Sequence, residues 1–306
     1  MTLPLVYLDQ NIISLQLAGK IDLSGLTGMQ WVYSKEHFAE ISRSQNPVPF
    51  LQTLDSLSAK LIDLEIVNWE FTGEARLNEE INAERHYERY SDAIKTVPSI
   101  DTLFHPFHVW ICGGDSEDAL RSIPEKLAHH LKALADSLPD STVLEGFYHF
   151  QSEFKQMIDA MIRSGNDIEE FRHQLGVGNG AAGSIKGDNP LGQLWEKVSP
   201  KMPGITSDEY FGFSSLPNEQ QQPLTWFGII KCCAILDVLG YAAEGKKTRN
   251  LDKIANVISD ANHIATSAYC QAMISRDNRL VDRARAIYQF RNIGTQAIFL
   301  DLTPES

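Results

Sequence analysis

The feature that most constrains this chain is a pair of short apolar runs at opposite ends of the sequence, each leading to an aspartate. Leu5-Val6-Tyr7-Leu8 stops at Asp9, and Ala272-Met273-Ile274-Ser275 leads to Asp277. Short apolar runs of this kind suit buried strands. Helix-like and strand-like segments alternate around both. A helix is expected from Asn11 to Leu17, ended by Gly19, and a second strand from Met29 to Tyr33. Ser34 then stands where a helix N-cap belongs, with His37 at the capping-box position in place of Glu, ahead of a helix from Lys35 to Ser42. At the far end a helix runs to about Cys270, another spans Asn278 to Phe290, and Thr295 to Leu300 forms a last strand. Alternation of this type points to a parallel sheet with crossover helices.

Between the ends the expected pattern is helical. Leu51, Leu54, Leu57, Leu61 and Leu64 recur at helical spacing, and Glu74–Ile94, Ser116–Leu138, Leu144–Arg163 and Leu224–Ala243 read as further helices. Gly176–Gly192 reads as a loop and Pro200–Pro223 as irregular. Charge divides the chain in the same way. Residues 1–45 and 251–306 are close to neutral, so nearly all of the net charge of −13 falls between them. The expected organisation is therefore an α/β unit made of residues 1–45 and 251–306, with residues 46–250 as an all-helical insertion. The longest apolar segment, Phe227–Ala243, is broken by Lys231 and Asp237 and reads as a core helix, not a membrane span. The start of the chain has no secretory pattern, and the four cysteines show no CxxC spacing, so a reducing cytoplasm with buried thiols is expected. An overall acidic chain argues against broad, non-specific binding of nucleic acid.

Functional groups in open parallel sheets collect beyond the carboxyl ends of the strands, which would bring Asp9 and Asp277 together if their strands are neighbours. Asp260, expected at the start of a helix, and Glu40, in the helix after the second strand, are the other acids that could join them. Four carboxylates at one edge need cations, and hard oxygen donors of this type suit Mg²⁺ or Mn²⁺. Each acid also has an ordinary structural use: Asp9 and Asp260 as helix caps, Glu40 as a solvent-facing residue, Asp277 as a turn residue.

Leu8-Asp9-Gln10-Asn11, Ser34 with Glu40-Ile41, Asp260 with Ile264-Ala265, and Ser275-Arg276-Asp277 together resemble the four motifs of the PIN-domain nucleases, in the same order and over the two ends of the chain. The resemblance implies a three-layer α/β/α fold and metal-dependent cleavage of RNA, less often of structured DNA, by one or two bound ions. Carried over, Asp9, Glu40, Asp260 and Asp277 become metal-binding and catalytic acids. Asn11 then supports Asp9, and Ser275 orients Asp277. Gln10 departs from the small hydroxyl residue usual at its position, and the long middle segment departs from the usual size. A toxin-like or defence role, and a middle segment serving as an oligomer or inhibitor interface, fit this picture.

Other residues carry weaker signals. Arg276, Arg279 and Arg283 form a stripe beside Asp277, with Arg285 and Arg291 nearby, and are candidates for phosphate contacts or simply a solvated face. His263 follows Asp260 by one turn and could touch metal or phosphate, or sit in the core. Glu36 could face the site or serve as a first-turn acid. Lys246-Lys247-Thr248-Arg249 is a backbone-binding loop or a plain turn. Gly178-Asn179-Gly180-Ala181-Ala182-Gly183 spells GxGxxG but follows no strand, which removes the dinucleotide reading. His105, His108, His129 and His130 lack zinc-spaced cysteines. Trp69, Trp110, Trp195 and Trp226 are read as core side chains.

Overall fold

A computed structural model describes residues 3–67, 70–96, 101–135, 142–178, 180–214 and 225–302. Trp69, Asn179 and the His130 side chain lie outside the described residues. In chain order the elements are β1 (Leu5–Leu8), α1 (Gln10–Leu17), β2 (Gln30–Tyr33), α2 (Lys35–Ile41), α3 (Val48–Ser56), β3 (Lys60–Val67), β4 (Glu70–Leu77) and α4 (Ala83–Thr96). There follow α5 (His105–Ile111), α6 (Glu117–Ala135), α7 (Thr142–Ser164), α8 (Ile168–Gln174), α9 (Pro190–Val198) and α10 (Ser207–Tyr210). The chain closes with α11 (Thr225–Leu239), α12 (Ile254–Ser267), β5 (Ala272–Ser275), α13 (Asn278–Arg291) and β6 (Gln296–Phe299).

The strands form one six-stranded sheet in the order β4-β3-β2-β1-β5-β6, parallel throughout except for the antiparallel β3–β4 pair. The two ends of the chain meet at its centre, where Leu8 pairs with Ile274. Successive strand residues point to opposite faces, and each face has its own core. Val6 and Leu8 pack with Ile12, Ile13, Phe38 and Leu54 of α1, α2 and α3. Tyr7 and Met273 pack instead with Leu194, Ile229, Ile264 and Ile287 of α9, α11, α12 and α13. The architecture is thus a mixed α/β, three-layer arrangement.

The middle segment is not all helical, and the sheet is not built from the chain ends alone. The leucine series from Leu51 to Leu64 is helical only as far as Ser56, where Leu57 caps α3 and Ser58 takes a positive φ of 50°. Beyond it, Ile62-Asp63-Leu64-Glu65-Ile66 alternates apolar and polar residues at the period of a strand, and a three-residue leucine step happens to satisfy the helical template as well. Phe71-Thr72-Gly73-Glu74-Ala75-Arg76-Leu77 alternates likewise, so the expected helix Glu74–Ile94 begins only at Ala83. Residues 175–241 of the middle supply much of the core on the α12–α13 face of the sheet. Trp110 is buried, and Trp195 and Trp226 pack against the core. All four cysteines are free and buried. Among the described residues no helix is long and apolar enough to cross a membrane.

Candidate functional site

Because β1 and β5 are parallel neighbours, their carboxyl ends stand side by side, and the residues that follow are joined by hydrogen bonds. The Ser275 hydroxyl donates to Asp9 Oδ2 at 2.5 Å and accepts the Asp277 backbone N–H at 2.9 Å. The Asn11 amide donates to the same Asp9 oxygen and to Ser275 Oγ at 3.2 Å, while its carbonyl accepts the Arg276 backbone N–H at 3.0 Å. Asn11 and Ser275 therefore clamp the two chain ends together and aim both aspartates at one edge. Both acids also cap helices. Asp9 Oδ1 accepts the Gln10 N–H at 2.7 Å, and Asp277 Oδ1 accepts the N–H groups of Arg279 and Leu280 at 2.8 and 3.2 Å. The capping and clustering roles coexist, since each carboxylate has two oxygens.

Asp260 does not start its helix. α12 begins at Ile254, so Asp260 sits mid-helix and has no capping duty. No hydrogen bond to its carboxylate is found among the described residues. Burial raises its pKa well above the usual aspartate value, and the charges of Asp9 and Asp277 push it further, against the opposing pull of His263 and Arg283. Burial likewise raises Asp9, offset in part by His263 and the Ser275 hydrogen bond. The acids from both ends thus feel one another's charge.

Glu40 faces α12 across the α2–α12 contact. The single Ser259 hydroxyl stands 2.6 Å from Glu40 Oε1 and 2.7 Å from Glu36 Oε1, and the Asn262 amide donates to Glu36 Oε2 at 2.7 Å. Glu36 is therefore part of the acidic group and not only a first-turn acid. One hydroxyl has one proton, so the two carboxylates compete for it.

His263 is fully buried behind these acids. Its Nδ1 is 2.7 Å from the Tyr7 hydroxyl, and its Nε2 lies 3.6 Å from Glu40 Oε2 and 3.9 Å from Asp9 Oδ1, within ion-pair range but without a hydrogen bond. Burial alone would lower its pKa, but Glu40, Asp9 and Glu36 overcome that and push it up to about 9. Burial opposes ionisation of Glu40 too, yet His263 and Ser259 hold it down at about 2. A second imidazole, His37, lies 4.8 Å from the first between ring centres. Burial and the His263 charge lower it to about 3, so it is neutral. Its Nε2–H donates to the Leu8 carbonyl at 2.6 Å, which leaves Nδ1 to accept the Ser34 backbone N–H at 3.0 Å and complete the capping box. With His263 charged, its Nδ1–H donates to Tyr7 and leaves the tyrosine hydroxyl to donate to Ser34 Oγ at 2.8 Å. His263 is thus an internal cation shielded from direct solvent contact.

The arginine stripe divides. Arg276 and Arg279 are exposed, and Arg279 Nε lies 3.3 Å from Glu244. Arg283 points inward with Leu280, Ala284 and Ile287, the buried face of α13, because Asp237 of α11 waits there as its ion-pair partner. His108 adds a contact of 3.4 Å to the same aspartate, and Arg283 Nε donates to the Ala242 carbonyl at 3.1 Å. Arg283 is therefore a structural charge and not a phosphate contact. Lys247 pairs with Glu244 at 2.5 Å and Arg249 with Glu169 at 2.9 Å, which makes the basic run around them mainly a set of surface ties.

The donors at the edge are all oxygens, and Asp260 supplies a half-buried carboxylate that feels the charges of Asp9 and Asp277, a chemistry that fits Mg²⁺ or Mn²⁺. Among the described residues, however, no three His, Cys, Asp or Glu side chains stand at the spacing of a preformed metal cage. Sequence reasoning missed Tyr7, Ser259 and Asn262. Ser259, Asn262, His263 and Thr266 follow helical spacing on α12, and that polar stripe was the available signal. No protein family, curated protein or solved structure matches this chain.

Proposed function

We propose that this chain is a PIN-like, metal-dependent nuclease that hydrolyses phosphodiester bonds of RNA. The observation that supports this reading most is the joining of Asp9 and Asp277 through Ser275 and Asn11 at the end of two adjacent parallel strands, within reach of the charge of Asp260. Asp9, Asp260 and Asp277, with Glu40 behind, would hold one or two Mg²⁺ or Mn²⁺ ions. Bound there, such ions supply Lewis-acid polarisation of a phosphate and a more acidic water. The chain's own residues perform the preparation. Ser275 and Asn11 fix the direction of Asp9, and the first turn of α13 fixes Asp277. His263 keeps a proton at Nε2 between Asp9 and Glu40 and so moderates their repulsion. Arg276 and Arg279 are the exposed cations placed to meet a phosphate backbone. DNA cleavage by the same acids is the nearest variant, and a toxin-like or defence role with a partner on the middle segment is compatible with it.

A second reading is a non-enzymatic protein whose acids are satisfied internally, favoured by His263 as a built-in counter-cation and by the absence of preformed metal spacing among the described residues. The test is cleavage of end-labelled single-stranded RNA, tRNA and branched DNA with Mg²⁺, with Mn²⁺ and with EDTA. The nuclease reading expects metal-dependent RNA cleavage that falls by at least about 100-fold in Asp9→Asn and Asp260→Asn. Absence of metal-dependent cleavage of every substrate, with folded protein, supports the second reading.

A further inference from the structure

A cleft of about 460 Å³ opens beside the first turn of α13, between that helix and the Gly-rich loop before α9. Its charged lining is Lys186 from the loop and Arg279, Asp282 and Arg285 from α13, with Tyr241 in the wall. The helix presents 279, 282, 285 and 289 to the exterior and buries 280, 283, 284 and 287, so Arg279 and Arg285 lie on one exposed face by helical spacing. The loop is held against that face, because the Asn189 backbone N–H donates to Gln289 Oε1 at 3.0 Å. Gly187 turns there with a φ of 85° and the exposed Lys186 lines the cleft.

Three cations against one acid is unusual in a chain of net charge −13. Arg279 is already 3.3 Å from Glu244, but Lys186 and Arg285 enter no ion pair among the described residues. Other clefts differ in this respect. The one lined by Lys35 and Arg89 has both cations already neutralised, by Asp63 and Glu80. Arg285 keeps its place through Nε, which donates to the Ala297 carbonyl at 2.9 Å, and so presents its remaining guanidinium N–H groups. Arg285, held and without an ion pair, is the kind of donor that recognises phosphate oxygens, and the exposed Lys186 and Arg279 stand on the same cleft. Arg279 stands two residues after Asp277, and Arg285 lies about 12 Å further along the axis than Asp277 at 1.5 Å per residue.

We propose that this cleft is the strand-binding subsite of the molecule: Lys186, Arg279 and Arg285 track the backbone of a single-stranded RNA that leaves the acidic edge along α13. This deepens the nuclease reading and rests on it for the identity of the strand. It also gives a chain of acidic composition a confined entry for a polyanion, since a local basic cleft can attract what the rest of the surface repels.

The test is fluorescence anisotropy of labelled single-stranded RNA with the full chain in EDTA, over a salt series, so that binding is read without cleavage. The wild type should bind, with log affinity falling linearly with log salt. The triple variant Lys186→Glu/Arg279→Glu/Arg285→Glu should bind at least about tenfold more weakly, and its salt slope should flatten by about 2 for three lost contacts. The milder pair Lys186→Gln/Arg285→Gln should give an intermediate loss with an unchanged melting temperature. Binding with these slopes in a protein that never cleaves would retain the subsite and remove the nuclease reading. No RNA binding by the wild type, or a triple variant with wild-type affinity and slope, overturns the subsite.

Discussion

Two groups of buried charge flank α12 and α13, and they are built on opposite principles. Around Arg283 cations outnumber the acid: Arg283 pairs with Asp237, His108 lies 3.4 Å from the same aspartate and is pushed up to about 9, and a backbone carbonyl takes the guanidinium Nε. Around His263 the balance is reversed. One imidazolium faces Glu40 and Asp9 with no hydrogen bond at Nε2, and Asp260 nearby has no hydrogen-bond partner among the described residues. A closed pair locks helices together. A group with more acids than cations raises its own free energy and is what a binding site for positive charge looks like before it is filled.

The largest effect should come from breaking the closed group. Arg283→Met leaves the buried Asp237 with His108 in place of its arginine partner, and should lower unfolding free energy in urea by about 3 kcal/mol. Arg283→Met/Asp237→Leu should recover most of that loss, because no charge is stranded. Equal damage in the single and double variants would mean that packing, not charge, holds this region.

Next in size is the pH dependence of the open group. The His263 pKa is raised in the folded state, so its contribution is complete below about pH 6.5 and is lost as pH rises through about 9. Glu40 is depressed, so its contribution is complete above about pH 4.5 and is lost as pH falls through about 2. Melting temperature should therefore decline on the alkaline side, and His263→Gln should remove that decline at a cost on the order of 3 kcal/mol near pH 6. An alkaline limb that survives in His263→Gln would assign it to another group.

The comparison also shows what the sequence could reveal. β1, β2, β5 and β6 were legible because each is a short apolar run beside a helix signal, and the edge acids because they follow two of those runs directly. β3 and β4 were not: Leu61 and Leu64 continue the helical spacing of α3 past Ser58, which masks the alternation of Ile62, Leu64 and Ile66, and the charged residues of β4 read as an amphipathic helix. Arg283 read as a surface stripe because the residue that draws it inward, Asp237, is remote in sequence and looked like a break in an apolar helix. His263 could not be separated from a ligand without Tyr7, whose hydroxyl meets it only after β1 and α12 have packed.

Smaller effects sharpen the contrast. Asp260→Asn removes a carboxyl whose ionisation is opposed by burial and by Asp9, and should stabilise the metal-free protein at pH 7, the reverse of what Arg283→Met does. Tyr7→Phe deletes the hydroxyl between His263 and Ser34 and should lose about 1–2 kcal/mol in the same denaturation experiment. Destabilisation by Asp260→Asn would mean that this carboxylate is satisfied in the folded protein.

The central claim is that acids from the two chain ends form one site for divalent cations, and thermal unfolding with and without Mn²⁺ tests it most directly. The wild type should melt several degrees higher, by roughly 2–4 °C for each kcal/mol of binding, as Mn²⁺ rises above its dissociation constant, and Asp260→Asn and Asp9→Asn should show little of that rise. A melting temperature indifferent to Mn²⁺, or one that rises equally in both variants, would contradict it.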